Sequence, residues 1–277
     1  MMIRVFVDSG SSIKQYEKEE YHVEIIPLKI LLGDKEYFDG VDLTNEVFYD
    51  YLKNSKEFPK TSLPQLDVLE DEVTKLTNQG DEVIIVTISS EISGTYNAIR
   101  LLFADNEKVH LVDSRCAVGG MRLIVDEINK NRDLDVKEIL EKVNELIPRI
   151  RIAAIPETLE YLHKGGRLST REYFLGTAIH LKPLIGFENG KVKMVGKAIG
   201  LKRAMKALNE LVNKDGVDPN YQFIAAMTNN RDNLDNLIRG LNPEYVDLIK
   251  TYDDLDHAIA AHWGPNAFGY IYVKANK

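Results

Sequence analysis

Fold class is decided by residues 83–96, which read VIIVTISSEISGTY. Val83 to Ile88 are a continuous run that is apolar except for Thr87, which is typical of a strand in a parallel sheet that helices cover on both faces. The polar turn Ser89 to Thr95 follows, and a helical pattern runs from Tyr96 to Phe103. Strand, polar turn and helix in this order predict one unit of an α/β fold.

Comparable units lie on both sides of this stretch. Strands are predicted at Ile3–Val7, Glu24–Leu31 and Val109–Val112, and helices at Leu66–Leu76 and Gly119–Asn131. In an open α/β sheet, ligands bind outside the carboxyl ends of the strands. Polar groups follow three of the predicted strands, so we expect them at one edge: Asp8-Ser9, Ser89-Ser90-Ser93 and Asp113-Ser114.

The second half of the chain has a different pattern. Asn189-Gly190 separates the apolar runs Leu184–Phe187 and Val192–Val195, and Asn-Gly in this setting is a strong hairpin signal. Further strands are predicted at Arg151–Ile155, Gln222–Met227, Tyr245–Ile249 and Phe268–Val273. We therefore expect two domains with a ligand between them: a mostly parallel α/β domain over residues 1–148, and an α/β domain with antiparallel strands over residues 149–277.

The composition excludes several classes of function. The chain has 277 residues, 44% hydrophobic and 28% charged, with a net charge of −8. An acidic chain without a Lys/Arg stripe is a poor nucleic-acid binder. A single cysteine, Cys116, fits a reducing compartment. No run approaches the roughly 20 apolar residues of a membrane helix. We expect a soluble, cytoplasmic and monomeric protein.

Two hydroxyl-rich segments are candidates for binding an anion. In Ser93-Gly94-Thr95, a glycine at a helix start lets the backbone approach an oxyanion to which both hydroxyls can donate. Thr61-Ser62 lies on a stiff segment between Pro59 and Pro64. A plain helix cap and a rigid surface loop are the alternative interpretations.

His262 is a third candidate donor, in His262-Trp263-Gly264-Pro265, with a packing histidine as the alternative. The six histidines show no zinc-binding spacing, so no metal is expected. No nucleophile elbow or Walker loop is present. A hydrolase or phosphotransferase that uses Asp8 or Asp113 with Ser93 remains an alternative function.

Taken together, the motifs resemble the DegV family, in the family's order and spacing along the whole chain. The segments that carry the resemblance are Val7–Ser11, Lys60–Pro64, Ile88–Tyr96, Val112–Ser114, Leu162–Ser169, Leu181–Pro183 and His262–Pro265. DegV proteins bind fatty acids, and some present the fatty acid to a fatty-acid kinase for phospholipid synthesis. The resemblance thus implies a lipid-binding carrier that has no catalytic step of its own.

The resemblance also implies roles for individual residues. Thr61, Ser93 and His262 would hold the carboxylate, with Ser62 and Gly94 beside it. Arg167 matches a family arginine that matters for handing the head group to the kinase. The family often has Lys-x-Arg before the helix that begins near Leu201, but Ile199 stands at the arginine position in this chain. Lys202 or Arg203 could compensate from that helix.

The ligand implied by the resemblance is a long-chain fatty acid of the palmitate, stearate or oleate class. Burial of about 14 methylenes at about 0.8 kcal/mol each would hold the tail. Transient membrane contact is compatible with this function, and a lipid sensor without kinase coupling is an alternative. Apolar residues predicted to line the tail are Ile92, Leu159, Leu162, Phe174, Ile179 and Leu184.

Overall fold

The structure is a computed structural model that describes residues 2–176 and 180–276. The chain divides into two compact units. Unit 1 comprises Met1–Pro148 and Asp256–Ala258, and unit 2 comprises Arg149–Leu255 and Ile259–Lys277. Ile179, a predicted tail-lining residue, lies outside the described residues. Within the described ranges, no helix combines the length and the apolar character that crossing a bilayer requires.

Unit 1 contains a parallel sheet and a small antiparallel sheet. Its strands are β1 (Ile3–Asp8), β2 (Glu24–Ile26), β3 (Lys29–Leu32), β4 (Lys35–Phe38), β5 (Lys60–Ser62), β6 (Glu82–Thr87) and β7 (Val109–Asp113). The parallel sheet has the order β2-β1-β6-β7, and the antiparallel sheet has the order β4-β3-β5. The predicted parallel α/β architecture of the N-terminal half is confirmed.

The helices of unit 1 are α1 (Asn45–Asn54), α2 (Leu66–Asn78), α3 (Thr95–Leu102), α4 (Gly119–Lys130) and α5 (Val136–Leu146). Of these, α2, α3 and α4 pack against strands of the parallel sheet, and α5 packs against α4. Consecutive side chains of β6, from Val83 to Val86, are fully buried, so both faces of this strand are covered, as its apolar run predicts. Val83 and Ile85 pack in one cluster with Val73 of α2 and Ile99 of α3.

The predicted strand Glu24–Leu31 is wrong as a single element. β2 ends at Ile26 and pairs with β1, whereas β3 begins at Lys29 and belongs to the small sheet. Pro27 lies between them and has no N–H to donate to a ladder. Leu28 instead donates its N–H to the hydroxyl of Ser9. The apolar residues therefore continue through a point where the backbone changes sheets.

Unit 2 contains a sheet that is largely antiparallel. Its strands are β8 (Ile150–Ile155), β9 (Leu181–Glu188), β10 (Lys191–Ile199), β11 (Phe223–Met227), β12 (Ile249–Asp254) and β13 (Phe268–Val273). Their order is β10-β9-β8-β13-β11-β12, with β11 and β12 parallel. Asn189 and Gly190 join β9 to β10 with positive φ angles of 51° and 83°, as the predicted hairpin turn requires.

The helices of unit 2 are α6 (Glu160–Lys164), α7 (Thr170–Gly176), α8 (Leu201–Asp215), α9 (Asp232–Ile238), α10 (Pro243–Val246) and α11 (His257–Trp263). The first two residues of α11 are grouped with unit 1. The strand predicted at Tyr245–Ile249 is wrong, because Tyr245 and Val246 lie in α10 and β12 begins only at Ile249. Asn242 caps this helix by accepting from the N–H of Glu244, and Pro243 occupies its first turn, which favours helix over strand.

Candidate functional site

The carboxyl ends of β1 and β6 are joined through the side chain of Asp8. Its Oδ1 accepts from the N–H of Gly10 at 2.9 Å, and its Oδ2 accepts from the N–H of Ile88 at 2.7 Å. Asp8 is fully buried, and burial raises its pKa to about 7 although the two hydrogen bonds oppose the shift. Asp8 therefore ties together the turns that follow two neighbouring strands.

Asp113 has a similar role at the end of β7. Its Oδ1 accepts from the N–H of Ser90 at 3.0 Å, and its Oδ2 accepts from the hydroxyl of Ser90 at 2.5 Å. Arg115 also approaches Asp113 Oδ2, at 3.4 Å. These hydrogen bonds of Asp8 and Asp113 join loops to each other rather than activate Ser93, and they offer no support for the hydrolase alternative.

Ser93 lies on the loop that leads into α3, and Thr95 begins that helix. The two hydroxyl oxygens are 2.9 Å apart, and the Thr95 N–H donates to Ser93 Oγ at 3.3 Å. Thr95 is fully buried and Ser93 is half-buried. The motif predicts that both hydroxyls donate to an oxyanion. In the structure Thr95 is the more buried of the two, and its hydroxyl is within hydrogen-bond distance of Ser93 Oγ, so either hydroxyl can donate to the other.

The second hydroxyl segment lies next to this loop within unit 1. Thr61 is half-buried on β5, where it pairs with Ile30 of β3, and Ser62 is exposed. Leu63 Cδ2 lies 3.6 Å from the position that a Cβ would take on Gly94. Unit 1 therefore brings the Thr61–Leu63 segment beside Ser93-Gly94, although the two segments lie far apart in the sequence.

Unit 2 contains a compact polar group around His262, which lies on α11. A Cβ added to Gly165 would be only 2.3 Å from His262 Nδ1, so the imidazole packs against backbone at Gly165. Arg167 donates from Nη1 to the carbonyl oxygen of Gly165. Gly264 has a φ of 72°, and a Cβ there would lie 2.4 Å from the ring of Tyr161. Two glycines thus allow the close packing of this group.

Burial lowers the pKa of His262 to about 3, and the charge of Arg167 acts in the same direction. The imidazole is therefore neutral near pH 7 and can donate one N–H without bringing a positive charge. Burial also lowers the pKa of Arg167. Across residues 2–176 and 180–276, no group of three or more His, Cys, Asp or Glu side chains is arranged to hold a metal ion.

The cationic residues that are expected to contact a partner kinase differ in their solvent exposure within unit 2. Arg167 is half-buried, whereas Lys202 and Arg203 are exposed in the first turn of α8. Ile199 is 62% exposed at the end of β10. An isoleucine with that exposure gains little from packing, so a polar residue would be tolerated at this position.

The candidate tail-lining residues fall into two groups. Leu159, Leu162 and Leu184 are buried, and Ile92 is half-buried. Leu184 belongs to the main apolar cluster of unit 2. Phe174, in contrast, is 68% exposed on α7. We leave Phe174 out of the tail-contacting set, because a side chain that faces water cannot shield a hydrocarbon from it. The position of the tail between the two domains stays a prediction.

The role of Gly165 and the supporting role of Thr95 could not be predicted from sequence. The Gly165-Gly166 pair marks a turn, but nothing in the order of residues indicates that a histidine almost 100 positions later packs against it. The Ser-Gly-Thr motif identifies the Thr95 hydroxyl but not its depth. Burial of a threonine at a helix start depends on which other parts of the chain pack against that helix, and the motif carries no information about them.

Comparison with known proteins places the whole chain in one family. A model of the DegV family, described as uncharacterised proteins, matches residues 2–275. A DegV domain-containing protein of Clostridium acetobutylicum is 31% identical, and the alignment covers 98% of this chain and 99% of the relative. The crystal structure of a fatty acid binding DegV family protein from Streptococcus agalactiae matches with a TM-score of 0.90 and 25% identity, covering 100% of both chains.

A DegV family protein from Thermus thermophilus has a TM-score of 0.88 at 23% identity, over 99% of this chain and 100% of that one, and supports the fold. The matches extend over the full described length of both units rather than over an isolated motif. The order of the strands, the hydroxyl loops and the full-length matches agree, and this chain is therefore a member of the DegV family.

Proposed function

We propose that this protein binds a long-chain fatty acid and holds its carboxylate with Ser93, Thr61 and His262. The observation that carries the proposal is the full-length likeness to a fatty acid binding protein, combined with uncharged hydrogen-bond donors in the matching motifs. We also propose that the protein is a cytoplasmic, monomeric carrier that has no catalytic step of its own.

The hydroxyl pair of unit 1 is suited to binding an anion. When the Thr95 hydroxyl donates to Ser93 Oγ, Ser93 accepts from both the N–H and the hydroxyl of Thr95. The proton of Ser93 is then directed to a third group, such as a carboxylate oxygen. Thr61 and the exposed hydroxyl of Ser62 lie on the segment beside Gly94 and add further donors.

The neutral imidazole of His262 suits the same ligand. A buried carboxylate needs hydrogen bonds, because leaving it without partners costs several kcal/mol. Uncharged donors satisfy the carboxylate without forming an ion pair, so its oxygens keep their nucleophilic character. Arg167 binds the Gly165 carbonyl and remains close to His262, where it supplies positive potential near the head group.

The hydrocarbon tail supplies most of the affinity. Burial of about 14 methylenes gives on the order of 10 kcal/mol before the entropic costs of binding. Leu159, Leu162 and Ile92 are our candidates for contact with the tail. Leu184 also packs within the apolar cluster of unit 2, so it would contact the tail only at the border of that cluster.

The ligand is tested by native mass spectrometry and by titration. We expect the purified protein to carry a fatty acid, and the delipidated protein to bind oleate or palmitate with micromolar Kd or tighter, which corresponds to about 8 kcal/mol or more. A protein that purifies without lipid and does not respond to either fatty acid would contradict the proposal.

Two serine variants make this test specific to the head group. Ser93→Ala removes a donor to a charged group, worth about 1.5–3 kcal/mol, so oleate affinity should fall by about tenfold or more. Ser90→Ala is the matched control on the same loop, because the Ser90 hydroxyl bonds to Asp113. Equal affinities of the two variants would count against Ser93 as a ligand contact.

We further propose that the bound fatty acid is presented to a separate fatty-acid kinase, and that Arg167, Lys202 and Arg203 contribute to binding this kinase. ATP and such a kinase should then yield an acyl-phosphate that depends on this protein. Replacing Lys202 and Arg203 by Ala should reduce the rate several-fold and leave oleate binding unchanged. Tight oleate binding without any acyl-phosphate would instead favour the lipid sensor.

A further inference from the structure

The start of α11 is held on unit 1 by polar contacts that the carboxylate site does not use. Lys14 Nζ lies 2.5 Å from Asp256 Oδ1, immediately before the helix. The Nε2 of His257 lies 2.7 Å from Asn45 Oδ1. The N–H of Ala258 donates to Asp39 Oδ1 at 3.2 Å. Each contact joins residues more than 200 positions apart, so they fix the beginning of the helix in space.

Asp39 is the central residue of this group. It is fully buried, and its second oxygen, Oδ2, accepts from the hydroxyl of Ser9 at 2.8 Å. Ser9 in turn accepts from the N–H of Leu28 at 3.1 Å. Asp39 therefore connects the turn after β1 with the first turn of α11.

A short helix transmits the position of its first turn to its last. α11 spans His257–Trp263, and His262 follows Ala258 by four residues. At 1.5 Å per residue, the two backbone positions are about 6 Å apart along the axis. An α-helix of this length has few internal degrees of freedom, so a shift of its first turn shifts His262 as well.

We propose that Asp39 is a positioning residue for the carboxylate site, which acts on His262 through the first turn of α11. This inference rests on the proposed fatty-acid binding. Asp39 has no contact with the ligand in this scheme. It supplies the acceptor that fixes Ala258, and Asn45 and Lys14 support it by fixing the residues on either side of the helix start.

The inference is tested with Asp39→Ala, Asp39→Asn and a control in the same unit. Asp81→Ala is the control, since Asp81 is also buried and accepts from a backbone N–H, that of Met2. Asp81 lies at the amino-terminal end of β1 and β6, whereas Asp39 contacts the turn after the carboxyl end of β1. The measurements are the oleate Kd and the NMR resonances of the His262 ring in lipid-free protein, both well below the unfolding temperature.

Asp39→Ala should weaken oleate binding about tenfold, which is about 1.4 kcal/mol, and shift the His262 resonances. Asp39→Asn should restore both, because its amide oxygen can accept from the Ala258 N–H. Asp81→Ala should lower the unfolding temperature and change neither measurement. Unchanged affinity and resonances in Asp39→Ala would overturn the inference, and so would equal changes in Asp81→Ala.

Two further outcomes remain informative. Should Asp39→Ala not fold, Asn45→Ala removes the His257 contact from an exposed position of α1. Unshifted His262 resonances in that variant would overturn the inference. Should the unmodified protein fail to bind oleate, the proposed function fails, whereas the His262 resonances still report whether Asp39 positions the helix.

Discussion

Gly165→Ala should abolish measurable oleate binding, although the change adds a single methyl group. The methyl carbon would lie 2.3 Å from His262 Nδ1 and 2.9 Å from the carbonyl oxygen of Tyr161, well inside van der Waals contact. The carbonyl belongs to the backbone and cannot move aside, so the imidazole must. Overpacking of this kind also costs typically about 1–3 kcal/mol of stability. Titration calorimetry with oleate measures the first effect, and thermal unfolding measures the second.

Gly166→Ala is the matched control for this prediction. Gly166 has a φ of 75°, and no atom lies within 4 Å of an added Cβ. Its replacement therefore strains the backbone by about 1–2 kcal/mol without displacing His262. We expect Gly166→Ala to bind oleate nearly as tightly as the unmodified protein. Retention of oleate binding by Gly165→Ala would show that His262 does not need its present position.

Asp8→Ala has the largest effect on stability that we expect from a single change. The substitution leaves the buried N–H groups of Gly10 and Ile88 without their acceptor. Each unsatisfied group costs about 1–3 kcal/mol, so unit 1 should lose about 2–6 kcal/mol. Denaturant unfolding measures the loss of stability, and hydrogen exchange of the Gly10 and Ile88 amides reports the local loss of their acceptor.

Asp8→Asn separates the hydrogen bonds from the charge. The amide oxygen still accepts from one N–H, so this variant should lose less stability than Asp8→Ala. Burial raises the pKa of Asp8 from 3.8 to about 7. A carboxyl group with a raised folded pKa stabilises the fold below its unfolded pKa, and that contribution is lost as pH rises to about 7. The stability of the unmodified protein relative to Asp8→Asn should therefore fall between about pH 4 and pH 7. A difference that does not change with pH would contradict the burial of an ionisable Asp8.

Much of the α/β architecture could be predicted because local patterns and packing agree. The apolar run of β6 indicates burial on both faces, and Asn189-Gly190 indicates a hairpin through its tolerance of positive φ. The errors occur where a local signal is brief or competes with another. Only Pro27 and Leu28 separate β2 from β3, so the sequence pattern hides the break between the two strands. The cap formed by Asn242 and Pro243 places Tyr245 in a helix although its neighbours favour a strand.

The candidate site could be predicted only in part. Motifs identify Ser93 and Thr61 because hydroxyls beside glycine or proline are visible in the order of residues. Nothing in that order indicates that Asp39 accepts from Ala258, because their proximity results from the path of the whole chain between them. The burial of Thr95 and the packing of His262 on Gly165 depend on the same long-range path.

Because Asp256–Ala258 belong to unit 1, this unit can be completed only near the end of protein synthesis. During synthesis, residues up to Pro148 leave the ribosome long before these three do, and domains commonly fold as they emerge. The nascent N-terminal half must keep Asp39 and Lys14 in solvent or in temporary contacts until translation nears its end. A gene fragment that stops at Pro148 therefore encodes an incomplete unit 1. Separate expression of that fragment removes Asp256 and Ala258, the partners of Lys14 and Asp39.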